Sequence, residues 1–335
     1  MLPGEVSCND TIRVPDRKRG AVQAIRIGIV GVGKIARDQH LPCITANPAF
    51  ALAAAASRNA QLPGIANFRT LEQMLDGVPE LDAIAICTPP QLHYQAARLA
   101  LERGKHVLME KPPCASLAQL GHLQQLAGAG HRTLYQTWHS QHAAGVAPAA
   151  RLLEGRRLRR VRVTWKEDVL KWHPGQKWIW QAGGFGVLDP GINALSILTR
   201  LIAEPIFPRS ALLSVPANLE SPIAAELELL TAGGIEIGVS LDFRHTGPQT
   251  WDIDFETDQG PFKLSAGGGT LTVGGKPAPA EAGELHGEYG SIYRAYAELI
   301  AAGRSEVDVR PLELVADIFL TGRQIAVAPF EEPGS

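Results

Sequence analysis

Two groups of residues near the start of this chain have types and spacings suited to holding a phosphorylated ligand. Gly31-Val32-Gly33-Lys34-Ile35-Ala36 has the form GxGxxA and directly follows the apolar run at 25–30. In that setting the first glycine permits a tight turn, the second lets backbone approach a pyrophosphate, and Ala36 lets the next helix pack closely. A helix start also offers amide donors and the positive end of its dipole, so Gly31, Gly33, Lys34 and Ile35 are expected against a dinucleotide. The second group, Ser57-Arg58-Asn59, closes the next apolar run, where NAD-specific proteins present a carboxylate to the ribose 2′-hydroxyl. No Asp or Glu stands there. A hydroxyl and a guanidinium suit a 2′-phosphate instead, so NADP is the preferred cofactor and NAD use stays open. The competing reading of Arg58 is an ordinary surface arginine.

Further along, Asp189 and Asn193 are four residues apart, which puts them on one side of a helix, where one acceptor and one donor can hold a hydroxyl. Asp189-Pro190 also reads as an ordinary helix start, with Asp as N-cap and Pro at the first helical position. Lys111 follows the apolar run 106–109, at the edge of the sheet where α/β sites gather, but on local sequence alone the favoured reading is a solvated lysine held by Pro112. Five of the six tryptophans lie between Trp138 and Trp180, interleaved with Glu167, Asp168 and His173. Aromatic faces beside polar groups suit a sugar, although most such tryptophans are core residues. His139 and His142 lack a third ligand at helpful spacing, so no metal site is expected.

These residues need a scaffold, and the hydrophobic pattern describes one. Apolar runs at 25–30, 52–56, 83–87 and 106–109 alternate with helix-like stretches such as 91–103, as strands buried on both faces of a parallel sheet do. This predicts a doubly wound α/β domain over residues 24–141, a Rossmann fold. From residue 142 to 335 the strands lengthen and alternate. Val161, Val163 and Trp165 share one face, and the runs 226–230 and 235–241 flank Ala232-Gly233-Gly234 as in a hairpin. Further strands are expected at 251–257, 262–265 and 270–273, with closing helices at 289–302 and 311–326. The second domain is therefore read as α+β with an open, mostly antiparallel sheet. An apolar face of that sheet is open to a helix layer, to water or to a second copy of the chain, so a homodimer through it is one expectation. Residues 1–23 read as a polar tail carrying the basic run Asp16-Arg17-Lys18-Arg19.

Composition narrows the partners. A net charge of −2 with 45% apolar and 20% charged residues describes a soluble globular protein with no field to gather nucleic acid or anionic lipid. No membrane span or signal peptide is read, so the expected location is the cytoplasm. The four cysteines form no CxxC pair, which points to reduced, packed thiols. The expected partner is a small molecule.

Cys87-Thr88-Pro89-Pro90-Gln91-Leu92-His93 and Glu110-Lys111-Pro112-Pro113 resemble the glucose-fructose oxidoreductase/inositol dehydrogenase (Gfo/Idh/MocA) superfamily. The runs Trp165 to Val169, Trp172 to Gln176, Trp178-Ile179-Trp180 and Asp189 to Leu195 narrow the resemblance to the bacterial L-arabinose/D-galactose 1-dehydrogenases. That resemblance implies oxidation of a cyclic aldose at C1 to a lactone, with hydride transfer to NAD(P)+. It places the family's catalytic lysine on Lys111 and its Asp and Asn pair on Asp189 and Asn193. Sugar contacts fall on His139, Glu167 and His173, and cofactor contacts extend to Thr88, Pro89, His93, Glu110 and Lys111. The same superfamily leaves two other activities open: a different sugar or inositol dehydrogenase, and a non-catalytic NAD(P)-binding regulator of sugar metabolism.

Overall fold

A computed structural model describes residues 24–278 and 287–331. The expected tail, with its basic run, lies outside the described residues. The first sheet contains β1 (Ile25–Val30), β2 (Phe50–Ala56), β3 (Ala66–Phe68), β4 (Ala83–Ile86), β5 (His106–Met109) and β6 (Leu134–Gln136). It is parallel throughout, in the order β3-β2-β1-β4-β5-β6. Helices α1 (Leu41–Ala46), α2 (Leu71–Gly77), α3 (His93–Glu102) and α4 (Leu117–Ala129) connect these strands. Strand order reverses between β1 and β4, and the crevice outside the carboxyl ends at such a point is where open α/β sheets bind ligands.

The second sheet holds β7 (Leu158–Lys166), β8 (Ile206–Pro216), β9 (Ala224–Thr231), β10 (Glu236–Asp242), β11 (Thr250–Thr257), β12 (Phe262–Ser265), β13 (Thr270–Val273), β14 (Lys276–Pro277) and β15 (Arg323–Val327). Its order is β14-β13-β12-β11-β7-β10-β9-β8-β15, antiparallel except for the pairs β7/β10 and β8/β15. The remaining helices are α5 (Val146–Leu153), α6 (Val169–Trp172), α7 (Leu188–Leu201), α8 (Gly287–Ala302) and α9 (Arg310–Thr321).

Alternation along β1 explains why the first sheet is apolar on both faces. Ile27 and Ile29 pack with Tyr289, Ile292, Tyr293 and Tyr296 of α8, whereas Val30 joins a core with Met74, Ala97, Leu120 and Leu123 of α2, α3 and α4. Thus α8, late in the chain, covers one face of the first sheet. In the second sheet Val161, Val163 and Trp165 are buried with Leu195 and Ile197 of α7 and Val315 and Ile318 of α9. The opposite face carries exposed Arg160, Arg162, Glu226, Glu228 and Glu236, partly ion-paired in plane as in Arg160–Glu236 at 3.2 Å. The apolar face of this sheet is accordingly covered by helices, and the uncovered face is charged.

The expected helix over 311–326 requires correction. It ends at Thr321, and 323–327 form β15 beside β8. Gly322 makes the turn: a Cβ there would lie 2.4 Å from the Ile318 carbonyl oxygen. The unpaired edge of β8 then satisfies the backbone that the helix would otherwise have held. Among the described residues no helix is long and apolar enough to cross a membrane.

Candidate active site

The glycine loop is built by local sterics. Gly31 has φ +85°, and a Cβ on it would sit 2.9 Å from the backbone carbon and oxygen of Cys87, so a side chain is excluded. At Gly33 nothing lies within 4 Å of a Cβ, which leaves backbone open to a ligand. The helix that follows contains a π-helical turn, Ala36–His40, and Ala36 and His40 are fully buried. Lys34 is exposed and paired with Asp38.

A cavity of about 730 Å³ opens where the carboxyl ends of β1, β4 and β5 meet the second sheet. Gly33, Lys34 and Ile35 line it from the loop, Thr88 and Pro89 from the turn after β4, and Glu110 and Lys111 from the turn after β5. His139, Glu167, His173, Asp189 and Asn193 line it from the other side. The tertiary fold thereby brings together residues separated by up to 256 positions in the chain, Gly33 to Tyr289.

Lys111 and Asp189 form the central pair. The Lys111 ammonium donates to the Asp189 carbonyl oxygen at 3.0 Å and lies 3.3 Å from its carboxylate Oδ2, with side chains 14% and 4% exposed. Asp189 is not the N-cap that local sequence indicated. The helix starts one residue earlier, at Leu188, so Asp189 lies in its first turn and directs its carboxylate at Lys111. Its second oxygen, Oδ1, is buried with no partner among the described residues, as are Thr88 Oγ1 and Trp165 Nε1, both in residues that line the same cavity. Polar atoms stripped of both water and protein partners are what a bound ligand completes. Together with the open approach at Gly33, they fit a dinucleotide and a polyol.

Glu110, beside Lys111, is 5% exposed. Its Oε1 faces His40 Nε2 at 2.8 Å and accepts from the Tyr289 hydroxyl at 2.7 Å, while Oε2 accepts from the Lys111 N–H at 3.0 Å. Burial alone would raise its pKa, but the bond to His40 and the charges of His40 and His139 hold the carboxyl down at about 2. His40 Nδ1 in turn meets the Tyr293 hydroxyl at 2.8 Å. This buried cluster ties the glycine-loop helix, the end of β5 and α8 to one carboxylate.

Glu167 is 2% exposed, with Oε1 2.8 Å from His173 Nε2 and Oε2 accepting from Trp251 Nε1 at 2.7 Å. Trp251 stacks on Trp165 with ring centres 5.8 Å apart and leans on Trp172 at 4.7 Å. An aromatic wall therefore stands beside the polar groups. His139 Nδ1 meets Glu288 Oε2 at 2.6 Å, and its ring stacks on Tyr289. Sequence reasoning missed Trp251, Glu288, Tyr289 and His40. Trp251 lies well beyond the tryptophan-rich stretch, Tyr289 read only as the start of a closing helix, and Glu288 lay just outside that helix.

Four expected cofactor positions, Gly31, Ser57, Arg58 and His93, are not among the residues that line this cavity. His93 is fully buried, its Nε2 2.5 Å from the Thr88 carbonyl and its Nδ1 3.0 Å from that of Pro112, and burial lowers its pKa. It braces the turns after β4 and β5 and does not face the cavity. Ser57 and Arg58 line a second cavity of about 530 Å³ at the carboxyl ends of β2 and β3. Among the described residues no group of three His, Cys, Asp or Glu is placed to share a metal ion.

Comparison with known proteins agrees with this geometry. Residues 25–137 match the oxidoreductase family with an NAD-binding Rossmann fold. A galactose 1-dehydrogenase from Pseudomonas fluorescens is 45% identical over 312 residues, covering 92% of this chain and 99% of that protein. The crystal structure of a D-galactose 1-dehydrogenase from Rhizobium etli superposes with a TM-score of 0.88 at 46% identity, covering 93% of this chain and 99% of that one. A 3-ketoreductase from Actinomadura kijaniata shares the fold at 20% identity, with a TM-score of 0.79 over 91% of this chain and all of that one. With a full-length relative at this identity, the chain belongs to the Gfo/Idh/MocA family of oxidoreductases.

Proposed function

We propose that this protein oxidises C1 of a cyclic aldose to the aldonolactone, with D-galactose and L-arabinose as the first substrates to consider and NADP as the preferred cofactor. The observation that carries the reading is the Lys111–Asp189 pair with its unpartnered carboxylate oxygen, set between the glycine loop and an aromatic wall. Similarity to galactose 1-dehydrogenases over nearly the whole chain supports the choice of sugar.

Bound NAD(P)+ supplies the hydride acceptor. With the C1 hydride accepted there, what would fall to this chain's own residues is the proton that the C1 hydroxyl must lose as its C1–O bond becomes a carbonyl. Lys111 already donates to Asp189, so it is placed as a donor to the C1 oxygen, stabilising the charge that develops there. Asp189 Oδ1 is the acceptor for the hydroxyl proton, and Asn193, one helical turn on, holds the same hydroxyl. His139 and His173 are oriented by Glu288 and Glu167 to meet the remaining sugar hydroxyls. Glu167 already has a donor on each oxygen, so its main role is to hold His173 and Trp251. Galactose and arabinose share ring stereochemistry from C2 to C4 and differ at C5, and a pocket that merely admits an extra group discriminates weakly, so dual use is expected.

A screen of galactose, arabinose, fucose, glucose, xylose and inositol with NADP and NAD, followed by absorbance of the reduced cofactor, tests this reading. Turnover of galactose and arabinose is expected, and no turnover of any aldose would overturn it. Cofactor choice is tested separately. Arg58→Ala should raise KM for NADP by about tenfold or more while changing that for NAD little, because a charge-assisted bond to phosphate is worth about 1.5–3 kcal/mol. Equal losses with both cofactors would refute the assignment of Arg58.

A further inference from the structure

The cavity at Ser57 and Arg58 has a second cationic wall that the sequence did not announce. We propose that Arg69 is a second determinant of cofactor choice, forming with Arg58 a two-armed clamp for a ribose 2′-phosphate. The proposal rests on the NADP reading above and adds a residue to it.

The topology places the two arginines together. Strands β2 and β3 are parallel neighbours with Ala56 opposite Phe68, and the Ser57 N–H donates to the Phe68 carbonyl at 2.9 Å. Chain leaving the carboxyl ends of both strands therefore emerges side by side, and Ser57, Arg58, Asn67, Phe68 and Arg69 line one cavity of about 530 Å³. No Asp or Glu lines it. Both arginines are exposed, and among the described residues neither is ion-paired to a carboxylate. Two guanidiniums on one concave site with no carboxylate in its lining make that site cationic, and a dianionic phosphate between them can accept from both forks.

Arg69 is also the better anchored arm. Its N–H donates to Gln73 Oε1 at 3.2 Å, and the next residue, Thr70, caps α2 by accepting from the Gln73 N–H at 3.2 Å. These reciprocal bonds fix the backbone from which the Arg69 side chain departs, whereas Arg58 lies on the turn after β2. A fixed arm loses less entropy on closing over a ligand. Three-residue β3 carries no readable period, which is why Arg69 escaped the sequence analysis.

The test needs neither sugar nor hydride transfer: calorimetric binding of 2′,5′-ADP and 5′-AMP to the full chain, comparing wild type, Arg69→Ala, Arg69→Lys, Arg58→Ala and the double alanine variant. Arg69→Ala should weaken 2′,5′-ADP about tenfold and 5′-AMP less than about twofold, with Arg69→Lys recovering part of the loss. Unchanged 2′,5′-ADP binding in Arg69→Ala, or equal losses for both ligands, would overturn the clamp. If wild type itself fails to prefer 2′,5′-ADP over 5′-AMP, the NADP reading fails and the clamp with it. A loss confined to Arg58→Ala would keep the NADP reading and remove Arg69.

Discussion

Replacing Lys111 with Ala is expected to lower kcat by about three orders of magnitude while leaving dinucleotide binding within about threefold of wild type, since a positioned proton-handling group contributes roughly 10²–10⁴-fold. The size follows from the site. Lys111 Nζ is the cation on the buried Asp189 carboxylate, 3.3 Å from Oδ2, and the two side chains are 14% and 4% exposed. Truncation to Ala removes the donor to the C1 oxygen and also leaves Asp189 without its partner in a poorly solvated cavity. Asp189→Asn keeps shape and should show a comparable loss, because an amide cannot accept the hydroxyl proton. Steady-state kinetics with galactose, paired with dinucleotide titration by tryptophan fluorescence, separates chemistry from binding. A Lys111→Ala enzyme retaining kcat within tenfold would take Lys111 out of the reaction.

His40→Ala should be the most destabilising single change near the site, costing about 3–5 kcal/mol, as removing one partner of a buried ion pair does. A drop in the thermal midpoint on the order of 10 °C corresponds to that loss. His40 is fully buried and supplies the imidazole against Glu110 Oε1 at 2.8 Å. The double variant His40→Ala/Glu110→Gln should be more stable than His40→Ala alone, since the stranded charge is then gone. Equal stability of single and double variants would show that the pair carries no net charge interaction.

The same pair sets an acid dependence. Glu110 is held at about 2 in the fold against an ordinary 4.5, so the folded state binds fewer protons between those values. The stability it contributes is complete above pH 4.5 and is lost as pH falls from 4.5 toward 2, about 3 kcal/mol in all. In His40→Ala that limb of the stability curve should flatten, which denaturant titrations at stepped pH would record.

Much of the scaffold was legible because its signals are short-range. Buried parallel strands leave continuous apolar runs, and β1, β4 and β5 match runs read at 25–30, 83–87 and 106–109. Strands β9 and β10 flank the predicted hairpin. Where a longer-range competitor intervened, the local reading failed. Asp189 looked like an N-cap, but its helix starts at Leu188 and its carboxylate faces Lys111. Residues 323–326 were read as the end of a helix, yet the free edge of β8 took 323–327 as a strand.

By itself the sequence determined that a glycine turn follows a buried strand, that no carboxylate stands at Ser57-Arg58-Asn59, and which residues carry the family motifs. Each of these depends on side-chain size, backbone freedom or charge within a few positions. The tertiary structure alone decided that Glu288 and Tyr289 of α8 join the cavity, that Trp251 hydrogen-bonds Glu167, that His40 meets Glu110, and that Arg69 stands beside Arg58. Strand order and the return of α8 to the first sheet bring those groups together. Such contacts arise from burying apolar faces across the whole chain, and no local spacing encodes them.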